Sequence, residues 1–407
     1  MNRDRVLLLT LLGLALGMRL GWVLAQPSNA EALARLPDQA GYLELAQNLL
    51  NGKGLVYFEP RFNENVRAMR LPGYPAFVAM CGASPKVTRI AQAGIDTLTV
   101  LGVYLLARRW LSEGRSLFAS AIVALNPFLI YFCGLILTET LFTALLVWGM
   151  VLLVRQREFL WGGVVLALAI LVRPSAMLMP LVLGMASVLV NRERDAAYKR
   201  WWPVPVGFTM LFLTFAVLLP WAYRNYTLFH QWIWTTTNDG LTAYDGLNPD
   251  ATGASDQSFV QSMPWIRYPE MDELARSRYL SELAWQFARE HPKQALLLIP
   301  EKLKRTWSPI PLSTEYGTNR LYVAAGLLYG VPLYLLVVLG LWKSRLSRTA
   351  KAFLALPAVY FTLAHAVSVG SLRYRIPAEA PMAVLAAAGA MRNRSEVDMS
   401  SVPTSES

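Results

Sequence analysis

Pro37-Asp38-Gln39-Ala40-Gly41-Tyr42 opens a polar segment that breaks at Gly52-Lys53-Gly54 and closes with Arg67-Ala68-Met69-Arg70-Leu71-Pro72-Gly73-Tyr74-Pro75. It lies between apolar runs at roughly 6–25 and 88–107, each long enough to cross the hydrocarbon of a bilayer. A polar stretch framed in this way is an extramembrane loop of a helical membrane protein, and the rest of the chain repeats the pattern. Further candidate spans fall near 115–133, 135–154, 159–172, 175–190, 204–222, 320–342, 352–370 and 377–391, giving about ten.

Composition agrees. Of 407 residues, 55% are hydrophobic and 16% charged, where a soluble domain carries about a quarter charged. The net charge of +11 bears on orientation before it bears on nucleic acid. With ten spans and the N-terminus inside, the basic clusters Arg3/Arg5, Arg108/Arg109 with Arg115, Arg155/Arg157, Arg192 to Arg200, Lys343 to Lys351 and Arg392/Arg394 all fall on the cytoplasmic side. The first run follows Asn2-Arg3-Asp4-Arg5, is long for a signal-peptide core, and meets a poor cleavage site at Ala25-Gln26-Pro27. It reads as a retained signal anchor. Cys81 and Cys133 have neither disulfide nor metal spacing.

The expected organisation is a transmembrane module over 1–222, with its first outer loop at 26–86. An outer layer at 223–319 and transmembrane helices at 320–395 follow, and 396–407 is a polar, disordered tail. In the first loop Tyr42, Leu45, Ala46, Leu49 and Leu50 share one face of a helix that suits the membrane surface. In the outer layer a helix near Asp272 to Glu290 is broken by His291-Pro292, and a second amphipathic helix reaches Trp307. The segment Phe159 to Val172 is too short for a full crossing and ends at Arg173-Pro174. Two short helices meeting at an arginine inside the membrane require a water-filled cavity there, or a partner for the charge.

Asp38 reads as the N-cap of the Tyr42 helix, with Pro37 just outside it, or as a general base facing a cavity at the membrane surface; the two are compatible. Arg67 and Arg70 present planar forks that suit a phosphate, or snorkel beside headgroups. Glu139 stands at an outer turn between two spans, either as a first-turn acid or facing water or a partner. Arg373 and Arg375 flank Tyr374 and break the positive-inside pattern, which points to an anionic partner such as lipid phosphate. His365 lines a cavity or packs. The sequence contains no HxxxH, HExxH, Walker A or GxGxxG pattern, so neither a metal site, an ATP-driven pump nor a Rossmann nucleotide-sugar enzyme has support.

Taken in order, Asp38…Tyr42…Ala46…Gly54, Arg70-Leu-Pro-Gly-Tyr-Pro75, Asn126-Pro127…Thr138-Glu139, Arg173-Pro174, Leu219-Pro-Trp221…Arg224-Asn225, His291-Pro292…Trp307 and Arg373-Tyr-Arg-Ile-Pro377 resemble the GT-C superfamily of membrane glycosyltransferases. The branch resembled is that of the protein O-mannosyltransferases and the lipid A aminoarabinose transferase. The resemblance implies an all-α GT-C-like bundle that transfers a hexose or pentose from a polyprenyl-phosphate carrier to a protein, lipid or glycan acceptor. This would take place on the periplasmic side of the inner membrane, with both termini cytoplasmic. It implies Asp38 as the catalytic acid of the first outer loop. Gln39 stands where the family often has a second acid, leaving Glu44, Glu64 or Glu139 for that role, with Glu139 favoured. It implies phosphate contacts from Arg70, Arg173 and Arg375; the residues themselves add Arg67 and Arg373 as candidate phosphate contacts, and Tyr42, Tyr74, Arg224, Asn225 and His365 as candidates for a sugar or acceptor pocket. A polyprenyl phosphate leaves readily once arginines stabilise it, so a divalent metal is optional. In-line displacement predicts inversion. The rival readings are a transporter or flippase for lipid-linked saccharides and a non-catalytic assembly protein of the cell envelope. A shared pocket joining Asp38, Glu139 and Arg173 separates the enzyme from both.

Overall fold

The computed structural model describes residues 3–34, 36–155, 158–193, 202–312 and 319–390. Arg157, most of the Arg192–Arg200 cluster, Arg392, Arg394, the tail from 396 and residues 313–318 of the second outer segment lie outside the described residues.

The first helix, α1 (Arg3–Leu24), is followed by α2 (Ala30–Ala34) and α3 (Pro37–Leu50). An antiparallel hairpin of β1 (Tyr57–Glu59) and β2 (Glu64–Val66), in the register Tyr57 opposite Val66, leads to α4 (Gly73–Met80). The bundle continues through α5 (Pro85–Ala107), α6 (Glu113–Ala124), α7 (Pro127–Cys133), α8 (Glu139–Leu153), α9 (Phe159–Ile170), α10 (Met179–Arg192) and α11 (Pro203–Phe229). The layer between α11 and the last three helices, expected on the outer side, holds α12 (Asp239–Gly246), α13 (Phe259–Ser262), α14 (Glu273–Glu290) and α15 (Pro292–Trp307). The last three helices are α16 (Arg320–Lys343), α17 (Arg348–Val367) and α18 (Ile376–Ala390).

Each of the ten apolar segments coincides with a helix or a pair of helices, but they differ in reach. Six helices, one of them α10 extended back to Pro174, have the length and apolarity of a membrane span; α6 and α7 together pass the same test as a pair bent by 52°. The helices α8, α9 and α18 are shorter. At 1.5 Å per residue they reach only about 18–23 Å, against about 30 Å of hydrocarbon. The straight span expected at 115–133 is therefore broken, and Pro127 is the reason. It has no N–H to offer the carbonyl of Val123. Arg19 of α1 adds donors at the break, reaching the Val123 carbonyl at 3.2 Å, which also accepts from Asn126 N, and the Ala124 carbonyl at 2.9 Å. Arg19 is itself buried and paired with buried Asp96 of α5.

The core lies around α18. Every residue from Ile376 to Ala388 is buried, as expected of a helix that is apolar all round. Its alanines let α16, α17, α6, α8 and α5 approach it. By contrast α1 leaves Leu7, Leu9, Leu14 and Leu24 exposed, a surface that suits lipid. The outer layer is fastened to the hairpin by charge. Arg276 of α14 pairs with Glu64, and Glu273 accepts hydrogen bonds from the backbone N–H groups of Arg67 and Ala68 and from Thr237.

Candidate functional site

Pro37 occupies the first turn of α3 and Leu36 is the N-cap. The fixed φ of proline and its missing N–H suit the first helical position. Asp38 is thereby moved inside the helix, and the N-cap reading is corrected. Its carboxylate still meets the positive end of the helix dipole. Arg70 donates to Asp38 Oδ1 at 2.7 Å and lies over the rings of Tyr42 and Tyr57, at 4.6 and 5.6 Å.

The Arg70 loop docks on the membrane break. Gly73 N donates to the Leu171 carbonyl at 2.9 Å. A Cβ at Gly73 would stand 2.7 Å from that oxygen, so the approach requires glycine. Pro174 ends the preceding helix, and Arg173 is left extended at the junction. The arginine is buried, with Nη2 at 3.5 Å from Glu139 Oε1 and its guanidinium over Phe142 and Tyr374. Glu139 begins α8 and is fully buried. The turn before it is held by Gln39, whose Oε1 accepts from Ile136 N at 2.9 Å.

Arg373 closes the arrangement from the strap between α17 and α18. Its Nε donates to Glu139 Oε1 at 2.6 Å and its Nη1 stands 3.7 Å from Asp38 Oδ2. The result is an alternating row, Arg70–Asp38–Arg373–Glu139–Arg173, with three cations against two anions. The Arg70 guanidinium holds the Asp38 carboxyl well below the usual carboxylate range; desolvation works against this and Arg373 works with it. Two atoms of the row are buried without a partner among the described residues, Glu139 Oε2 and Arg70 Nε. Buried polar atoms are rarely left so.

Arg373 also lines a cavity of about 850 Å³ whose other walls include Trp22, Tyr131, Tyr322, Leu372 and Arg305. The cavity is mostly apolar, with an arginine of the row at its edge. Arg305, at the end of α15, has a buried Nε without a partner among the described residues. The sequence reading missed it, because in Lys302-Leu303-Lys304-Arg305 it looks like one more solvated charge.

The other anticipated residues divide. Tyr42 is part of the site, packed edge-on against Tyr74 at 4.8 Å. Tyr74 is fully buried and donates to Gln92 Oε1 at 2.6 Å, so it supports Tyr42 from behind. His365 stacks on Tyr374 with ring centroids 3.7 Å apart and orients the strap. Four assignments depart from expectation. Arg375 is buried, pairs with Glu379 and donates to the carbonyls of Thr306 and Ser308, so it ties α15 to α18, with its Nη2 left buried without a partner among the described residues. Arg224 donates to the carbonyls of Arg67 and Leu55, and Asn225 to that of Ile233. Both fasten loops in place of forming a sugar pocket. Arg67 is exposed and serves through its backbone. Of the alternative acids, Glu44 accepts from Phe58 N and Glu64 pairs with Arg276, whereas Glu139 shares Arg373 with Asp38. Among the described residues no three His, Cys, Asp or Glu side chains are grouped to hold a metal ion.

Residues 75–223 match the family model of dolichyl-phosphate-mannose-protein mannosyltransferase. A search of curated proteins returns no match. Among solved structures, the chain is similar to the oligosaccharyltransferase AglB of Archaeoglobus fulgidus in complex with an inhibitory peptide and a dolichol-phosphate. The TM-score is 0.57 at 14% identity, over 94% of this chain and 50% of that one. The apo form of the Archaeoglobus fulgidus oligosaccharyltransferase gives 0.54 at 13% identity, over 93% and 50%. ArnT from Cupriavidus metallidurans in the apo state aligns over 94% of this chain and 77% of its own, at 14% identity and a TM-score of 0.41. The chain thus spans about half the length of the archaeal enzymes, and at these identities the likeness is one of fold.

Proposed function

We propose, from the family-model match over residues 75–223 and the fold likeness to the Archaeoglobus fulgidus oligosaccharyltransferase, that this multi-pass membrane chain is a glycosyltransferase of the GT-C superfamily. It takes a hexose or pentose from a polyprenyl-phosphate carrier and gives it to an acceptor on the periplasmic face, with inversion at the anomeric carbon. The observation that carries this reading is Arg373, which belongs both to the alternating row and to the wall of the apolar cavity. A lipid-linked donor needs an apolar wall for its chain and cations for its phosphate in adjoining places, and Arg373 belongs to both. The excess cation of the row suits a phosphate monoanion.

In the reaction, the acceptor hydroxyl oxygen bonds to the anomeric carbon as the bond from that carbon to the phosphate oxygen breaks. The hydroxyl proton goes to Asp38, and the electron pair leaves with the carrier phosphate, stabilised by Arg373 and Arg70. A carboxylate held as acidic as resting Asp38 is a weak base. Carrier phosphate on the same two arginines relieves that hold, so the base gains strength when the donor is in place. Glu139 fixes Arg373 and Arg173, and its unpartnered oxygen accepts from a hydroxyl of the sugar or acceptor. The amphipathic outer layer supplies acceptor specificity.

The test is mass spectrometry of envelope glycans from cells lacking the gene and from the same cells complemented with wild-type protein or with Asp38→Asn. The proposal expects one glycan to be lost, restored by wild type and not by the variant, with the linkage inverted relative to the carrier-linked sugar. Identical glycans in all strains, or restoration by Asp38→Asn, argue against it, and a covalent glycosyl adduct on Asp38 refutes inversion.

A further inference from the structure

Lys302, in the middle of α15, is completely buried. Its neighbours on the exposed side, Glu301 and Lys304, pair with each other and are more than half exposed. The Lys302 ammonium donates to the carbonyl of Val367 at 3.0 Å. Val367 is the last residue of α17, and the final carbonyls of a helix have no partner within it. Lys302 thus supplies, from another element, a cationic cap at the negative end of α17.

Backbone packing fixes what this cap holds. Gly370 N donates to the Gly253 carbonyl at 2.9 Å, and a Cβ at Gly370 would stand 2.3 Å from the Lys302 carbonyl oxygen. A Cβ at Gly246 would stand 2.4 Å from the Ser368 carbonyl oxygen. Residues 368–371 are therefore held at backbone distance between α15 and the loop after α12, and three residues beyond Gly370 comes Arg373. At its far end the strap is tied to α15 a second time, by Arg375 donating to the carbonyls of Thr306 and Ser308.

We infer that Lys302 is a positioning residue for Arg373: its ammonium pins the end of α17 and so sets the strap that presents Arg373 to Asp38 and Glu139. The pin is sensitive to pH. Burial pushes the Lys302 ammonium down to about 8, and Asp245 works against this. The groups facing it are Asp245 from α12, whose carboxyl accepts from Ser255, Gln257 and Asp256 N, and, through Ser368, His365 of α17. A neutral amine still donates, but without the added strength of a charged donor.

The inference rests on Arg373 contacting the carrier phosphate, and the experiment separates the two. Full-length protein in nanodiscs is titrated with undecaprenyl phosphate, and with undecaprenol as a control, from pH 6.5 to 9.5. Wild type is expected to lose affinity as pH rises through about 8. Lys302→Met is expected to bind about tenfold more weakly at pH 7 with a flat profile. Lys302→Arg, which keeps its charge, is expected to bind like wild type at pH 7 and hold that affinity to pH 9.5. If Lys302→Met fails to fold, Lys302→Arg decides alone: a decline matching wild type overturns the inference, as does a Lys302→Met profile superimposable on wild type. If wild type binds undecaprenyl phosphate no better than undecaprenol, the carrier reading fails. Hydrogen exchange of 368–375 then tests the pin by itself, with faster exchange above pH 8 in wild type but not in Lys302→Arg expected, and equal exchange overturning it.

Discussion

Replacing Arg373 by methionine removes the residue that joins both acids. Glu139 is fully buried and would keep only Arg173, at 3.5 Å. Asp38 would keep Arg70, at 2.7 Å. Breaking a buried pair by removing one partner costs about 3–5 kcal/mol, because the other charge is left buried. Most of that cost belongs to Glu139, since Asp38 remains partly exposed and paired. Glu139→Gln alone removes the acid from between two arginines and costs about 1–3 kcal/mol. With both changes the stranded charge is gone, so the double variant should be about 2 kcal/mol more stable than the sum of the singles predicts. The assay is equilibrium unfolding by denaturing detergent titrated into mixed micelles, followed by tryptophan fluorescence on all four proteins. Additivity within about 0.5 kcal/mol would mean that Arg373 and Glu139 do not share a buried site, and the row would fall with it.

Three further expectations follow from the same geometry. Arg19→Met should cost about 3–5 kcal/mol, and pairing it with Asp96→Leu should recover most of the loss, measured by the same unfolding titration; no recovery would remove the buried pair. Gly73→Ala drives a Cβ against the Leu171 carbonyl and should cost about 1–3 kcal/mol while weakening undecaprenyl phosphate binding; a variant with wild-type binding would show that the Arg70 loop need not dock there. Because Asp38 is held below its unfolded value, its contribution to stability is present above the ordinary carboxylate range and is lost only as pH falls through its lower, folded value. Unfolding between pH 7 and 5 should therefore be the same for wild type and Asp38→Asn apart from a constant offset, and an offset that shrinks across that window would contradict the pairing with Arg70.

Periodicity and charge made the fold legible. Apolar runs place the helices, His291-Pro292 places the boundary of two outer helices, and Arg173-Pro174 marks the break. Reach was less visible. The α6–α7 bend turns on a hydrogen bond that Pro127 does not make, with Arg19 adding donors at the break, and nothing local to Asn126-Pro127 reveals a donor from α1. In the site, Asp38, Arg70, Glu139, Arg173 and Arg373 are the residues whose charge sits where charge is costly, and that singled them out. Arg375, two residues from Arg373, has the same local signature. Its half-turn offset sends it to Glu379 and the end of α15, a distinction that depends on tertiary packing alone. Lys302 and Arg305 lie in a helix whose polar residues look solvated until the strap covers them. Gln39 stands where the family pattern suggested an acid, and its amide is used to hold the turn before Glu139.

The role proposed for Asp38, base of a transfer from a carrier phosphate, is reached most directly by kinetics. The measurement is single-turnover discharge of sugar from a polyprenyl-phosphate donor by protein in nanodiscs, with binding of the donor measured in the same preparation. Wild type should discharge the donor to acceptor; Asp38→Asn should bind it within about threefold of wild type and discharge it at least about a hundredfold more slowly. Discharge by Asp38→Asn at the wild-type rate would contradict the account.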